Sequence, residues 1–181
     1  MSLHASATDE LRAWEPPSDG QASLQRTFLD YLADHDDGVW RASAPAHLTA
    51  SAVIVDPQRS AMLLVLHGKV RRWLQPGGHC ELGDASLGQA ALREAAEESG
   101  IAGLELAGGI LHLDRHPAPC RPAEVEEHFD VRYLLVAPPG SEPSRSAESL
   151  DVRWFPWSGL PHGIEPTIVA MLAAGRERLG L

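Results

Sequence analysis

The sequence predicts an α/β layered domain. Three observations carry this expectation. Two strand-like runs, "HLTASAVIVDP" at 47–57 and "SAMLLVLHG" at 60–68, are joined by a short turn. A run of helix formers, "LGQAALREAAEES", follows a glycine-containing loop almost at once. Further strand signals then lead to a last helical run, "IEPTIVAMLAAGRERL" at 164–179. No internal repeat is visible, and 181 residues suffice for one domain with a substantial core.

Residues 1–20 are mixed in character and are expected to be loosely held, with "PPSDG" at 16–20 as a turn or linker. "SLQRTFLDYLADH" at 23–35 places Leu24, Phe28, Leu29 and Leu32 on one helical stripe, with Ser23 as its cap and "DDG" at 36–38 as its end. This helix is expected to pack on the rest, dividing the chain into an N-terminal extension, 1–45, and a main domain, 46–181. The runs at 47–57 and 60–68 read as an antiparallel hairpin. "KVRRWLQPGGH" then enters a loop that Pro76 stiffens, where Gly77 and Gly78 permit backbone geometry other residues resist.

The next helix is expected to start near Ser86, which stands three before Gln89 at capping-box spacing, with Asp84 as a rival cap. Gly100 is suited to stop it, and Ala91, Leu92, Ala95 and Ala96 form the side expected to face the core. "LELAGGILHLDRH" at 104–116 reads as strand material broken by two glycines, and 116–127 as a proline-rich, acidic loop. In "HFDVRYLLVAP" at 128–138, Phe129, Val131 and Tyr133 alternate with Asp130 and Arg132, as in a strand. A loop at 138–146, a short strand at 150–157 and the final helix, with Pro166 near its first turn, complete the order.

Lys and Arg number 15 against 25 Asp and Glu, a net charge of -10. Such a chain is not built to grip a nucleic-acid polymer through its phosphates. A phosphorylated small molecule would need a cation or a local arginine to approach it. Cys80 and Cys120 provide no disulfide framework and are read as free thiols of a reducing compartment. No basic stretch followed by an apolar run opens the chain, and "IVAMLAA" falls far short of a membrane span. The expected location is the cytoplasm, with no membrane partner.

Glu94, Glu97 and Glu98 project from neighbouring positions of one helix. Left alone, each like-charged pair would destabilise it by roughly 0.2–0.5 kcal/mol. Arg93, four before Glu97, relieves part of this, and a divalent cation would turn repulsion into binding. Carboxylate oxygens are hard ligands that suit Mg2+ or Mn2+. "REAAEES" alone leaves open the reading of a solvated surface face. The Gly77–Gly78 turn just before the helix adds backbone carbonyls as further oxygen donors.

The stretch 78–101 resembles the signature of the Nudix hydrolases: a glycine, five residues, a glutamate, seven residues, Arg-Glu, an aliphatic residue, any residue, Glu-Glu, any residue, a glycine and an aliphatic residue. Gly78 matches the first glycine, and Arg93, Glu94, Glu97, Glu98, Gly100 and Ile101 match the later positions, with Ala95 as the aliphatic residue. Asp84 stands where the first glutamate is expected, and eight residues rather than seven separate it from Arg93. The resemblance implies an α/β/α sandwich around a mixed sheet, here with an N-terminal helical extension. It implies metal-dependent hydrolysis of a nucleoside diphosphate linked to another moiety, by water attack on phosphorus.

Carried onto this chain, the resemblance makes Glu94, Glu97, Glu98 and the Gly78 carbonyl the holders of Mg2+ or Mn2+. Arg93 would steer a glutamate by a salt bridge, and Asp84 would serve the helix start or reach Arg93. Relatives often draw another ligand or a base from outside the signature. Glu124, Glu126, Glu127 and Asp130 are the candidates, Asp130 with the firmer position if it is not simply a solvated strand residue, and Glu148 is a weaker one. His79 is placed to meet substrate phosphate or to order the loop. Arg115 and Arg121, in the specificity loop at 115–128, could meet a terminal or ribose phosphate, while the loop's acidic half, ill-suited to a highly charged polyphosphate without metal, leans toward an ADP-ribose or nucleotide-sugar substrate. His112, His116 and His128 could hold zinc but have no metal-motif spacing, so a structural role is the preferred reading, and Cys80 has no paired base. Trp73, Trp154 and Trp157 could stack on a base, with core packing preferred for Trp154. Two other functions fit the same fold: a non-catalytic nucleotide or metabolite binder that regulates, and an isopentenyl diphosphate isomerase. Homodimers are common among relatives.

Overall fold

The computed structural model describes residues 1–118 and 125–181. The elements run α1 (Leu3–Ala13), α2 (Asp19–Asp34), β1 (Ala46–Asp56), β2 (Ala61–His67), β3 (Trp73–Leu74), β4 (Gly77–His79), α3 (Leu87–Ser99), β5 (Glu105–Leu106), β6 (His112–Pro117), β7 (Glu127–Val136), β8 (Ser149–Pro156) and α4 (Pro166–Arg178). The eight strands form one mixed sheet. Its spine is β3-β2-β1-β7-β5, with β4 on β1, β6 on β7 and β8 on β2. β1 and β7 run parallel from Ala46 opposite Glu127 to Val55 opposite Val136, while β1 pairs antiparallel with β2 and β4. The expected hairpin, mixed sheet and flanking helices are present.

The period of two in β1 divides the molecule into layers. Leu48, Ala50, Ala52 and Ile54 face a core shared with α1, α2 and α3, including Leu11, Phe28, Leu87, Ala90, Ala91 and Ala95. Val53 and Val55 face the other way, against Met62, Leu64, Leu134 and the α4 residues Ile168, Met171 and Leu172. His47, Thr49 and Ser51 share the parity of Val53 and Val55, so the same face turns polar at one end of the strand. All three are buried.

The N-terminus differs from expectation. Residues 3–13 form a helix capped by Ser2, whose hydroxyl accepts from the Ala5 amide. Leu3, Ala7 and Leu11 lie at four-residue intervals and are buried. The stripe is narrow and includes an alanine, so the apolar pattern is weak until a surface is there to cover it. The second helix starts four residues before Ser23, because Ser18 is its cap and accepts from the Gln21 amide. "PPSDG" is therefore a helix start. Glu10 ties α1 to the rest of the fold: it accepts from the Tyr133 hydroxyl at 2.5 Å and from the Leu87 amide at 3.3 Å, at the open N-terminus of α3. Among the described residues no helix is long and apolar enough to cross a membrane.

Candidate active site

The helix that carries the glutamates is bounded by local chemistry. The Ser86 hydroxyl accepts from the Gln89 amide, and the Gln89 side chain reaches back to the Ala85 amide. This is a capping box displaced by one residue at its second bond. Gly100 ends the helix at φ 68°, and a Cβ there would collide with the Ser144 hydroxyl. The buried side is Leu87, Gly88, Ala90, Ala91, Ala95 and Ser99. Leu92 and Ala96, expected on that side, are only half-buried, so the helix is turned a little from the anticipated face.

Arg93 gathers the acids. Its Nε and Nη2 bond the two oxygens of Asp84 at 3.1 and 3.0 Å, and Nη2 also reaches the His79 carbonyl at 2.9 Å. Its Nη1 bonds Glu94 at 2.9 Å and Glu97 at 3.3 Å. The anticipated contact between Asp84 and Arg93 is therefore made, and Asp84 also accepts from the Glu81 amide at 2.8 Å, which closes the loop. These bonds, first of all those to Asp84, raise the Arg93 pKa further.

Glu94 lies against Gly78 so closely that a Cβ on Gly78 would come 2.7 Å from its carboxylate. Glu98 accepts from the Gly77 amide at 3.1 Å. Glu97 is the most exposed of the three. Burial raises the pKa of Glu94, with Glu97 and Glu81 adding to the rise. Burial also lifts Glu98 to about 7, helped by Glu94, Glu148 and Glu97. Glu148 thus contributes to the field of the cluster, and so does Glu81, to which sequence reasoning attached no role. A cation among these oxygens would relieve both the burial and the repulsion, and a hard, all-oxygen donor set fits Mg2+ or Mn2+.

Asp130 belongs to a different network. One oxygen accepts from Thr49 at 3.0 Å, the other from Ser51 at 2.8 Å and Arg132 at 2.7 Å. Arg132 also bonds Asp114 at 2.7 Å, and Asp114 meets His116 at 3.0 Å. Burial opposes ionisation of Asp130, but Arg132 prevails and holds the carboxyl below its usual range. The reading as a solvated strand residue is corrected, because Asp130 and Arg132 are both buried on the polar face of the sheet. Arg115 pairs with Glu127, an exposed ion pair at the start of β7, and Glu126 is exposed beside it. Arg121, Glu124 and Cys120 lie outside the described residues.

His79, His47 and His128 meet where β4, β1 and β7 adjoin. Their rings are 5.0 to 5.3 Å apart between centroids, and their ligand atoms lie within 4.8 Å of one another. Burial, followed by mutual repulsion, lowers His79 to about 4 and His128 to about 3. His47 escaped notice in the sequence because only the parallel register of β1 and β7 sets it opposite His128. Cys80 is a buried free thiol, pushed up to about 12 by burial and then by Asp84, and is not poised as a nucleophile. Trp73 packs edge-on against Phe155, Trp154 donates to the Ser141 carbonyl, and Arg176 lies over the ring of Trp157.

A family model described as "NUDIX domain" matches residues 45–174. The "Putative mutator protein MutT4" of Mycobacterium tuberculosis (strain CDC 1551 / Oshkosh) is 35% identical over 114 residues, 59% of this chain. The chain spans only 44% of that relative. A hydrolase of the NUDIX family from Clostridium perfringens superposes with a TM-score of 0.52 at 26% identity, over 74% of this chain and 96% of its own. The NUDIX domain of Shewanella oneidensis NrtR, solved with ADP ribose, superposes with a TM-score of 0.55 at 24% identity, over 83% of this chain and 97% of its own.

Proposed function

The chain belongs to the NUDIX domain family, and from that premise we propose that it is a metal-dependent hydrolase of a diphosphate joining a nucleoside to another moiety. The observation that carries this reading is the gathering of Glu94 and Glu97 on one guanidinium nitrogen of Arg93, beside Glu98 on the Gly77 amide. Glu94, Glu97, Glu98 and the Gly78 carbonyl would hold Mg2+ or Mn2+. The bound cation would neutralise diphosphate oxygens and lower the pKa of a water that attacks phosphorus. Asp84 holds Arg93 in place through two bonds, and Arg93 in turn orients Glu94 and Glu97. Gly77 and Gly78 let the strand lie close enough for Glu94 and Glu98 to point along it. Asp130, committed to Thr49, Ser51 and Arg132, stays outside this ligand set.

Within this reading the first substrate class to test is ADP-ribose and nucleotide sugars. The acidity of the chain favours a small diphosphate over a highly charged triphosphate. In this reading His79, Arg115 and Arg121 would contact the substrate. A single small-molecule partner suffices for the chemistry, and a homodimer is compatible with it.

The test is product analysis on a panel of ADP-ribose, sugar nucleotides, dinucleoside polyphosphates and nucleoside triphosphates with Mg2+ or Mn2+. The wild type should release a nucleoside monophosphate from its substrate. Glu97→Gln should stay folded and lose on the order of 100-fold in turnover. Undiminished turnover in that variant would overturn the assignment. Tight nucleotide binding without any product would favour a regulatory binder.

A further inference from the structure

We propose that His47, His79 and His128 form a second metal site, distinct from the glutamates of α3, that takes one transition-metal ion of the Zn2+ class. The site goes beyond the hydrolase reading and stands or falls without it. Its three members come from three strands that β1 brings together: Thr49 of β1 pairs with His79 of β4, and His47 of β1 pairs with His128 of β7. The ring centroids make a nearly equilateral triangle with sides of 5.0, 5.0 and 5.3 Å.

His47 supplies the independent observation. It is fully buried, and its Nδ1 lies 3.3 Å from the Ser43 carbonyl. A carbonyl only accepts, so Nδ1 carries the proton and Nε2 presents a lone pair. That Nε2 is buried and has no hydrogen-bond partner among the described residues. Buried polar atoms are nearly always satisfied, and one that is not needs an explanation, of which a bound ion is one. An imidazole held by a backbone carbonyl at one nitrogen, with the other nitrogen free, is oriented as metal-binding histidines are.

The donor set selects the metal. Three imidazole nitrogens suit Zn2+, Co2+, Ni2+ or Cu2+ far better than Mg2+, which the oxygen cluster on α3 suits. A tetrahedral ion with bonds of 2.0–2.1 Å needs nitrogens about 3.4 Å apart. From separations within 4.8 Å, binding one ion would ask the rings to close by roughly 1.4 Å at most. Three protein ligands leave a fourth position for water or another donor. The consequence lies in β4: His79 directly follows Gly77 and Gly78, so an ion at the trio would clamp the glycine strand to β1 and β7.

The full chain, stripped with a chelator and saturated with Mg2+ to fill the oxygen cluster, would be titrated with Co2+ and read by visible absorption and metal stoichiometry. The expected result is one Co2+ per chain with the d–d bands of a nitrogen-rich, low-coordinate site. Glu97→Gln should retain these bands. His79→Gln and His128→Gln should each weaken Co2+ binding on the order of 100-fold, with thermal melts of the metal-free variants reporting their fold. Should His128→Gln not fold, the half-buried His79→Gln decides alone. The proposal is overturned if the wild type shows no bands, if both histidine variants bind Co2+ as the wild type does, or if Glu97→Gln abolishes the bands.

Discussion

Arg93 clasps Asp84 through two bonds, Nε to Oδ1 at 3.1 Å and Nη2 to Oδ2 at 3.0 Å, across nine residues of chain. A forked pair of this kind fixes a guanidinium in orientation as well as in place. The aspartate is nearly buried, at 6% side-chain exposure against 21% for the arginine. The shorter acid reaches Arg93 because the loop folds back and is pinned by the bond from the Glu81 amide to Asp84.

Asp84→Ala should therefore lower stability by about 2 kcal/mol and weaken Mg2+ binding while leaving measurable turnover. Thermal melts and a Mg2+ titration of activity, run beside Glu97→Gln, separate the two effects. Native stability and native Mg2+ dependence with no turnover would mean that Asp84 acts in the chemistry itself.

Gly77 and Gly78 should respond differently to the same change. A Cβ on Gly78 meets the end of a flexible side chain, the Glu94 carboxylate. Gly78→Ala should fold, displace Glu94 and cut metal affinity. A Cβ on Gly77 meets the Ser51 side chain and backbone, with the Ser51 Cα at 2.6 Å. Gly77→Ala should force β4 off β1 and cost more than about 2 kcal/mol in a denaturant titration. Equal stability of the two variants would contradict this packing.

Glu98 sets a pH dependence. Burial, then the nearby carboxylates, raises its pKa to about 7 in the fold, against an ordinary value of 4.5. The folded protein thus holds a proton that the unfolded chain has released. The contribution of Glu98 to metal-free stability is complete below about pH 4.5 and is lost as pH rises through about 7. Metal binding needs the carboxylate, so Mg2+ affinity should climb over the same interval. Parallel melts with and without Mg2+ should diverge as pH increases, and Glu98→Gln should reduce the divergence.

Glu10 links the N-terminal helix to the helix of the glutamates. The Tyr133 hydroxyl that it accepts is buried, and burial, then Glu10, raises the pKa of that phenol well above its usual value. Glu10→Ala should leave a buried hydroxyl and the Leu87 amide without their partner, at about 1–3 kcal/mol. Tyr133→Phe should cost less, since Glu10 is only half-buried and can turn to water. Hydrogen exchange at the start of α3 would show whether the loss spreads to the site.

Local chemistry alone determined much of this protein. Ser86 and Gly100 bound α3 because caps are short-range, and the register of Glu94, Glu97 and Glu98 follows from helical spacing. The hairpin of β1 and β2 follows from two strand patterns and one turn. The first helix was hidden because a stripe of Leu3, Ala7 and Leu11 becomes apolar enough only against a surface that the rest of the chain supplies. Tertiary structure also decided where the polar residues of the sheet went. Asp130 and Arg132 alternate in sequence as solvated residues would, yet they neutralise each other within the fold. The trio of His47, His79 and His128 exists only because a parallel pairing and an antiparallel one meet on β1. Cross-strand register is set by the packing of whole layers, and no stretch of neighbouring residues encodes it by itself.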